Sequence, residues 1–302
     1  MVYDFHMNAF HVYWSKPRSR SNPMHDFEVK VLALSALAFE RSQGVKAHLV
    51  VDAPLAERLA ALGVLHLWKT IDTKMLDGFE KEIGFDCSPY PNSAKLFVMS
   101  QLPSPYLLID ADAILYEQLP VHRMTADIIC AHLETDPGFQ FYPKAEAVTF
   151  QQKKSFAELA RINSAPIFNV SLLWVNHLTF GKTLATEFFQ IIGNESHEGP
   201  APVQLMTFAE QRMAGHLAKE LHLTYATFRN VEWACAEKKF LGNENAPELI
   251  SGYHHLWHQK AFLRKFPSFQ AEYFGSLLVE LERRLPGIGA EAIPLLKNIE
   301  CI

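Results

Sequence analysis

The chain is built around Pro105-Tyr106-Leu107-Leu108-Ile109-Asp110-Ala111-Asp112-Ala113-Ile114-Leu115. The short apolar run that follows the proline predicts a buried central strand of an α/β sheet. Because side chains alternate along an extended segment, Asp110 and Asp112 are expected to point the same way. They come where the strand leaves the sheet, at its carboxyl end, which is where open α/β sheets bind ligands.

The two aspartates form a candidate metal site. Two like charges held side by side are costly unless a cation or hydrogen-bond donors lie between them. Divalent ions that carry a substrate's phosphates are usually held by one or two carboxylates of this kind. The alternative is a strand end followed by an Asx turn, which is the more common meaning of an isolated Asp-x-Asp.

Length and composition describe an ordinary globular protein. The 302 residues suffice for one large α/β domain or two small ones, and 49% hydrophobic with 20% charged residues excludes a disordered or fibrous chain. The net charge of -5 argues against a dedicated nucleic-acid binder. The four cysteines show no CxxC pairing, which favours a reduced compartment. We see no signal peptide and no membrane-spanning stretch, so we expect a cytoplasmic protein.

Strand and helix signals alternate around the central stretch. We expect strands at 9–14, 47–51 and 64–68 with helices at 26–42 and 54–62 between them, an order that predicts a mostly parallel sheet with helices on its faces. A helix at 93–101 leads into the central strand. Further strands are expected at 126–131, 167–176 and 223–228, and helices at 144–161, 178–192, 203–221 and 269–284. We predict one domain over residues 1–265 and a C-terminal helical extension over 266–302.

Three separated segments resemble nucleotide-sugar glycosyltransferases of the GT-A fold. Tyr106–Asp112 is similar to the family's strand followed by its DxD motif. Ile167–Asn176 resembles the F-N-x-G strand that lines the sugar pocket, with Ser171 where the family usually has Gly or Ser. His254–Lys260 resembles the H-x-x-G-x-x-K segment of glycogenin-like and galactosyltransferase-like members, with Trp257 in place of the glycine.

A fourth segment, Glu210-Gln211, is similar to the acidic-Gln pair in the family's helix beneath the sugar. The segments follow the family's order and span most of residues 9–260. The nearest likeness is to uncharacterised bacterial glycosyltransferases. The resemblance implies a GT-A (Rossmann-like) fold and an enzyme that moves a sugar from a nucleotide-diphosphate donor, such as a UDP-sugar, to a glycan or other hydroxyl acceptor, in polysaccharide assembly.

The resemblance also implies a divalent cation, Mn²⁺ or Mg²⁺, on the donor diphosphate. Asp112 is the first expected ligand, and Asp110 either coordinates the ion or accepts hydrogen bonds from the ribose. Either His254 or His255 completes the shell, and a nitrogen ligand beside oxygen suits Mn²⁺. Lys260 is expected to place a point charge on the diphosphate.

Other residues are assigned by the same resemblance. Lys95 is expected to reach the nucleotide or a phosphate, and Trp14 to stack on the base. The expected catalytic residues are Asn169, Glu210 and Gln211, and Ser171 is expected to help bind the nucleotide-sugar donor. An inverting enzyme would use Glu210 as its base, whereas Glu210 could instead be a helix residue paired with Arg212 or Lys219. The His-x5-Lys likeness favours retention.

Two other functions stay open at this point. A phosphatase of the haloacid dehalogenase type also places Asp-x-Asp at a strand end, and would use Asp110 as nucleophile and Asp112 as acid and base. That motif normally follows the first strand of its domain, whereas three β-α units are expected before it here. The second alternative is a GT-A-like nucleotide-binding protein that no longer transfers sugar, which the Trp257 substitution keeps open.

Overall fold

A computed structural model of the chain describes residues 7–16, 24–120, 124–136, 138–139, 141–150, 152–194, 200–229, 232–234, 252–256 and 259–300. The chain divides into two compact units. The first unit comprises Met7–Lys74, Ile109–Leu119 and Lys239–Ile302, and the second unit comprises Met75–Leu108 and Pro120–Lys238. The expected single domain over 1–265 with an extension over 266–302 stays a prediction. Within the described ranges, no helix combines the length and apolarity needed to cross a bilayer.

The strands and helices are short to medium in length. The strands are β1 (Ala9–Tyr13), β2 (His48–Val51), β3 (Ile71–Asp72), β4 (Tyr106–Ile109), β5 (Ala113–Leu115), β6 (Ile128–Cys130), β7 (Leu133–Thr135), β8 (Ile167–Phe168), β9 (Leu172–Val175), β10 (Tyr225–Thr227), β11 (Glu232–Ala234) and β12 (Tyr253–His255). The helices are α1 (Asp26–Gln43), α2 (Ala53–Ala61), α3 (Phe79–Ile83), α4 (Ser93–Gln101), α5 (Phe156–Asn163), α6 (Phe180–Ile192), α7 (Pro202–Thr207), α8 (Met213–Glu220), α9 (Gln259–Lys265), α10 (Gln270–Arg284) and α11 (Gly289–Glu300).

The first unit contains parallel strands and an antiparallel ribbon. Strands β1, β2 and β3 pair in parallel in that order. Helix α1 is buried from Phe27 to Phe39, because its sequence is apolar nearly all round rather than on one stripe. It ends at Gly44, whose φ of 73° lies in the left-handed region that glycine adopts without strain. Strands β5 and β12 pair antiparallel, with His255 opposite Ala113. The ribbon therefore brings the late histidine segment beside the residue that follows Asp112.

The second unit contains two groups of paired strands. One has the order β10-β6-β9-β4, in which β10 and β6 are parallel and β6 and β9 antiparallel. The other has the order β11-β7-β8. The predicted α/β class, with a mostly parallel sheet flanked by helices and with C-terminal helices, is confirmed.

The predicted long strand over 167–176 is two strands, β8 and β9. Between them the Asn169 side chain accepts hydrogen bonds from the Ser171 N–H at 3.1 Å and from the Ser171 hydroxyl at 2.6 Å. Such a local side-chain turn competes with the strand ladder. The break therefore follows from the two polar residues that make this segment unusual for a strand.

The predicted third strand over 64–68 is wrong. Leu65–Leu67 form a 3-10 turn, and the third strand is β3 at Ile71–Asp72. A short apolar run indicates burial but does not distinguish a strand from a helical turn. Here the burial is real, because Trp68 is 4% exposed.

Two predicted helices are shorter or broken. Among the described residues of 144–161, the helical segments are a 3-10 turn at Ala145–Ala147 and the first part of α5. Ser155 is the N-cap of helix α5, and its hydroxyl accepts the Glu158 N–H in a capping box. The predicted helix over 203–221 is α7 and α8 with a π-helical turn at Phe208–Arg212 between them. Such π turns are frequent at functional sites, and this one contains Glu210.

A buried hydrogen-bonded chain passes through His11 of β1. The Trp68 indole N–H donates to His11 Nδ1 at 3.2 Å, so the imidazole carries its proton on Nε2. His11 Nε2 donates to Ser35 Oγ at 2.9 Å, and Ser35 Oγ donates to the Ala113 carbonyl at 2.5 Å. Burial lowers the pKa of His11 from 6.5 to about 3. His11 is therefore neutral in the folded protein at every physiological pH.

We expect this histidine to make the protein acid-sensitive. Its pKa is lower in the folded than in the unfolded state, so its contribution to stability is intact above pH 6.5 and is lost as the pH falls from 6.5 towards 3. The loss is about 1.4 kcal/mol per pH unit in that window. Urea unfolding near pH 7 and pH 5 should show wild type losing about 2 kcal/mol more than His11→Gln, which does not titrate. Equal losses in the two proteins would contradict the prediction.

Candidate functional site

The first unit brings three potential metal ligands together. Asp110 and Asp112 follow β4, and His255 ends β12. His255 Nε2 lies 3.7 Å from Asp110 Oδ2 and 3.6 Å from Asp112 Oδ2. One ligand atom from each of the three residues lies within 4.8 Å of the other two. The cluster follows from the register of the β5–β12 ribbon, which sets His255 opposite the residue after Asp112.

Lys260, at the start of α9, also contacts this cluster. Its Nζ lies 2.7 Å from Asp112 Oδ2. Burial raises the pKa of Asp112, but the charges of Lys260 and His255 outweigh it and hold the pKa below its usual range. Burial lowers the pKa values of Lys260 and His255, and the Asp112 charge outweighs that effect and raises both. Asp112 is therefore a carboxylate at neutral pH.

The neighbouring histidines have different surroundings. His254 Nε2 lies 2.9 Å from the hydroxyl of Tyr273 on α10. Burial lowers the pKa of His254 to about 4, so the imidazole is neutral. Successive side chains of a strand point to opposite faces, so His254 contacts Tyr273 while His255 contacts the aspartates. His255 is the one beside the aspartates, a question that the sequence left open.

The three side chains suit a divalent cation. Two carboxylates and one imidazole supply oxygen ligands and one nitrogen ligand, a set that Mn²⁺ accepts and that Mg²⁺ accepts through the carboxylates. Asp112 faces the positive charge of Lys260 already, so an ion at this cluster would share that carboxylate with the ammonium. The residues present therefore fit the metal that the resemblance implies.

The second unit holds a buried polar cluster centred on Glu134 of β7. Asn169 Nδ2 donates to Glu134 Oε1 at 2.7 Å, and the Tyr142 hydroxyl donates to Glu134 Oε2 at 2.6 Å. The Gln211 amide lies 2.6 Å from the Tyr142 oxygen. His132 Nε2 lies 3.6 Å from Glu134 Oε1. We call these residues the Glu134 cluster, and include Ser171, which donates to Asn169.

The Glu134 cluster joins predicted and unpredicted residues. Asn169, Ser171 and Gln211 were selected from the sequence, and the structure places all three in it. Glu134, Tyr142 and His132 were missed. A signal existed for two of these, because polar residues alternate at 132, 134 and 136 directly after a predicted strand, which puts them on one face. His132, Glu134 and Asp136 are each at most 5% exposed.

Lys95 and Glu210 form a buried ion pair in the same unit. Lys95 Nζ lies 2.6 Å from Glu210 Oε1, with side chains 9% and 2% exposed. Asn92 Nδ2 donates to Glu210 Oε2 at 2.6 Å. Lys95 is thus an ion-pair partner of Glu210 that the sequence did not predict, since the alternative left open there pairs Glu210 with Arg212 or Lys219. Arg212 instead donates to the Asn163 carbonyl at 2.8 Å.

The remaining expected site residues are less informative. Trp14 is 7% exposed, so little of its ring is available, and its stacking on a base stays a prediction. Trp257 and His258 lie outside the described residues. Next to Trp14, Ser15 donates to Asp52 Oδ2 through both its N–H, at 3.0 Å, and its hydroxyl, at 2.6 Å. These bonds tie the end of β1 to the residue that precedes α2.

Neither a protein-family model nor a curated protein matches the sequence. Solved structures do match. They include the PaToxG glycosyltransferase, at 9% identity and a TM-score of 0.40 over 71% of this chain and 68% of that chain. They also include the galactosyltransferase LgtC in complex with donor and acceptor sugar analogues, at 10% identity and a TM-score of 0.36 over 73% of each chain. A third is the apo form of mouse xyloside xylosyltransferase 1, at 12% identity and a TM-score of 0.40 over 74% of this chain and 84% of that chain.

All three structures carry the name of a glycosyltransferase, the class that the sequence resemblance predicts. TM-scores of 0.36 to 0.40 describe a weak likeness. The assignment of a function therefore depends on the residues of this chain.

Proposed function

We propose that this protein is a metal-dependent glycosyltransferase that moves a sugar from a nucleotide-diphosphate donor to a glycan or other hydroxyl acceptor. The observation that carries the proposal is the meeting of Asp110, Asp112 and His255 within 4.8 Å. These residues come from two distant parts of the sequence, and both parts were selected because they resemble the donor-binding motifs of glycosyltransferases. Cytoplasmic polysaccharide assembly stays a prediction.

The first unit supplies the groups that handle the diphosphate. Asp110, Asp112 and His255 would hold Mn²⁺ or Mg²⁺, and the ion supplies a Lewis acid that stabilises the charge growing on the leaving diphosphate. Lys260 adds a positive charge at the same place and keeps Asp112 ionised. A diphosphate carries several negative charges and is repelled by the two aspartates. The ammonium of Lys260 beside them offsets that repulsion.

The Glu134 cluster, taken by itself within the second unit, has groups suited to sugar hydroxyls. The Glu134 cluster contains a carboxylate, two amides and a phenol, which together donate and accept hydrogen bonds as sugar hydroxyls do. We propose that Asn169, Gln211 and Ser171 bind the sugar, with Glu134 holding Asn169. Fixed polar groups of this kind discriminate between sugars by the hydrogen bonds that each hydroxyl completes with them.

We propose retention at the anomeric carbon. An inverting enzyme needs a carboxylate that is available to the acceptor hydroxyl, and Glu210 is engaged by Lys95 and Asn92 at 2.6 Å each. Glu210 is thus suited to a fixed negative charge more than to a mobile base. Proton NMR of the product's anomeric centre tests this, and a β-linked product from an α-linked donor would overturn it.

Thermal unfolding with nucleotides provides the direct test of the donor site. We expect at least one of UDP, GDP and CDP to raise the unfolding midpoint in the presence of Mn²⁺ and not in its absence. Binding at 100 times Kd stabilises the folded state by about 2.7 kcal/mol, which for a chain of this size corresponds to roughly 5 °C. If no nucleoside diphosphate changes the midpoint with metal present, the proposal fails.

Two further assays separate the alternatives. Hydrolysis of p-nitrophenyl phosphate that is lost in Asp110→Asn would favour the phosphatase. Metal-dependent nucleotide binding without consumption of any nucleotide sugar would favour the binding protein. Release of nucleoside diphosphate from a nucleotide sugar, with neither of those results, supports the transferase.

A further inference from the structure

Ala113, the residue after Asp112, occupies a non-hydrogen-bonded position of the β5–β12 ribbon. In the antiparallel ladder Ala113 faces His255. The neighbouring pair of the ladder, Asp112 and Leu256, is hydrogen-bonded, since the Leu256 N–H donates to the Asp112 carbonyl at 3.2 Å. Bonded and non-bonded pairs alternate in such ladders. The Ala113 carbonyl therefore points away from β12 and needs another donor.

That donor comes from helix α1. Ser35 Oγ donates to the Ala113 carbonyl at 2.5 Å, Ser35 accepts from His11 at 2.9 Å, and His11 accepts from Trp68 at 3.2 Å. Ser35, His11 and Ala113 are all 0% exposed and Trp68 is 4% exposed. Because the Trp68 indole can only donate, the imidazole proton of His11 lies on Nε2 and the hydroxyl proton of Ser35 points to the Ala113 carbonyl. The direction of every bond is thereby determined.

We infer that Trp68, His11 and Ser35 are positioning residues for the candidate metal site. They hold the carbonyl of Ala113, which is the chain neighbour of Asp112 and the ladder partner of His255. Their role is to keep the carboxylate and the imidazole at the separation that one ion can share. This inference rests on the proposed function, because it gives these hydrogen bonds a role in positioning ligands of the proposed cation.

The physical basis is the cost of an unpaired carbonyl. A buried carbonyl without a donor is unfavourable, so the main chain at 113 would rotate towards another donor or admit water if the Ser35 hydroxyl were removed. Metal ligands tolerate displacements of only a few tenths of an ångström. Loss of the groups that orient metal ligands typically costs about 10- to 100-fold in metal affinity.

The test measures Mn²⁺ binding to the full chain, by electron paramagnetic resonance of free Mn²⁺ or by calorimetry. Ser35→Ala should raise the Kd for Mn²⁺ about tenfold or more. The matched control is Ser42→Ala, on the same helix, whose hydroxyl donates to the Phe39 carbonyl at 3.3 Å and has no part in the chain to Ala113. Its Kd should equal that of wild type.

A second pair of variants separates positioning from general destabilisation. In His11→Gln the amide oxygen can accept from Trp68 and the amide nitrogen can donate to Ser35, so Mn²⁺ affinity should stay close to that of wild type. His11→Leu removes both bonds and should weaken Mn²⁺ binding as Ser35→Ala does. Should Ser35→Ala fail to fold, the Gln and Leu variants still decide the question. Urea unfolding of each variant measures stability separately.

The outcomes distinguish the inference from the proposed function. If wild type binds no Mn²⁺ and no nucleotide, the proposed function fails and the inference fails with it. If wild type binds Mn²⁺ while Ser35→Ala and His11→Leu lose stability and keep wild-type Mn²⁺ affinity, the hydrogen bonds from Trp68 to Ala113 stabilise the fold only. That result would overturn the inference and leave the proposed function intact.

Discussion

Asp112→Asn is expected to reduce sugar transfer by about three orders of magnitude, because a metal ion at a developing phosphate charge contributes several kcal/mol. The substitution keeps the shape of the side chain and removes the charge that faces Lys260 and His255 at 2.7 and 3.6 Å. It should also abolish the Mn²⁺-dependent rise in unfolding midpoint with a nucleoside diphosphate. Initial rates of diphosphate release and thermal unfolding measure the two effects.

The control for this variant is Asp72→Asn. Asp72 ends β3 in the same unit, and its Oδ1 accepts the Lys74 N–H at 2.8 Å. Its rate should stay within about twofold of wild type, because Asp72 is not among the residues proposed to hold the ion. Undiminished Mn²⁺-dependent nucleotide binding in Asp112→Asn would show that the cation is held elsewhere or not at all.

The second large effect is expected at the buried ion pair of Lys95 and Glu210. Lys95→Met leaves a carboxylate that is 2% exposed without its ammonium partner, and we expect a loss of about 3–5 kcal/mol in the free energy of unfolding. Glu210→Leu should cost a similar amount for the same reason. The double variant should be close to wild type, because a buried pair replaced by apolar groups of similar volume is often neutral. Urea unfolding of the four proteins gives the coupling energy directly.

An exposed pair in the same unit is the matched control. Arg161 Nε lies 3.2 Å from Glu220 Oε1 with side chains 54% and 44% exposed, so breaking it should cost less than about 1 kcal/mol. Single variants of Lys95 and Glu210 that lose no more than this would contradict the prediction. A stable double variant that no longer transfers sugar would show that Lys95 or Glu210 acts on the substrate.

Much of the first unit's site could be predicted from local pattern. An apolar run entering two alternating aspartates predicts a strand end with both carboxylates on one side, and the structure shows both beside His255. Asn169 is unusual in a strand because Asn is depleted there, and its hydrogen bonds with Ser171 do interrupt the strand. These predictions succeed because they depend on the period of the main chain and on local hydrogen bonds.

Contacts between residues far apart in sequence could not be predicted in this way. Alternation along β12 shows that His254 and His255 face opposite sides, but the register against β5 decides which of them meets the aspartates. The pairing of Lys95 with Glu210 depends on a helix and a π-helical turn that meet only in the folded unit. The alternation of polar residues indicates that Glu134 shares a face with His132, but its contacts with Asn169 and Tyr142 depend on the fold in the same way.

The amino-acid sequence by itself determined the α/β class, the position of the acidic strand end and the segments that could serve it. The tertiary structure alone decided which histidine, which lysine and which buried serine contact that strand end. Local propensity and periodicity constrain a residue's own backbone and the side it faces. Strand register and helix packing, which minimise the free energy of the whole unit, choose its distant partners.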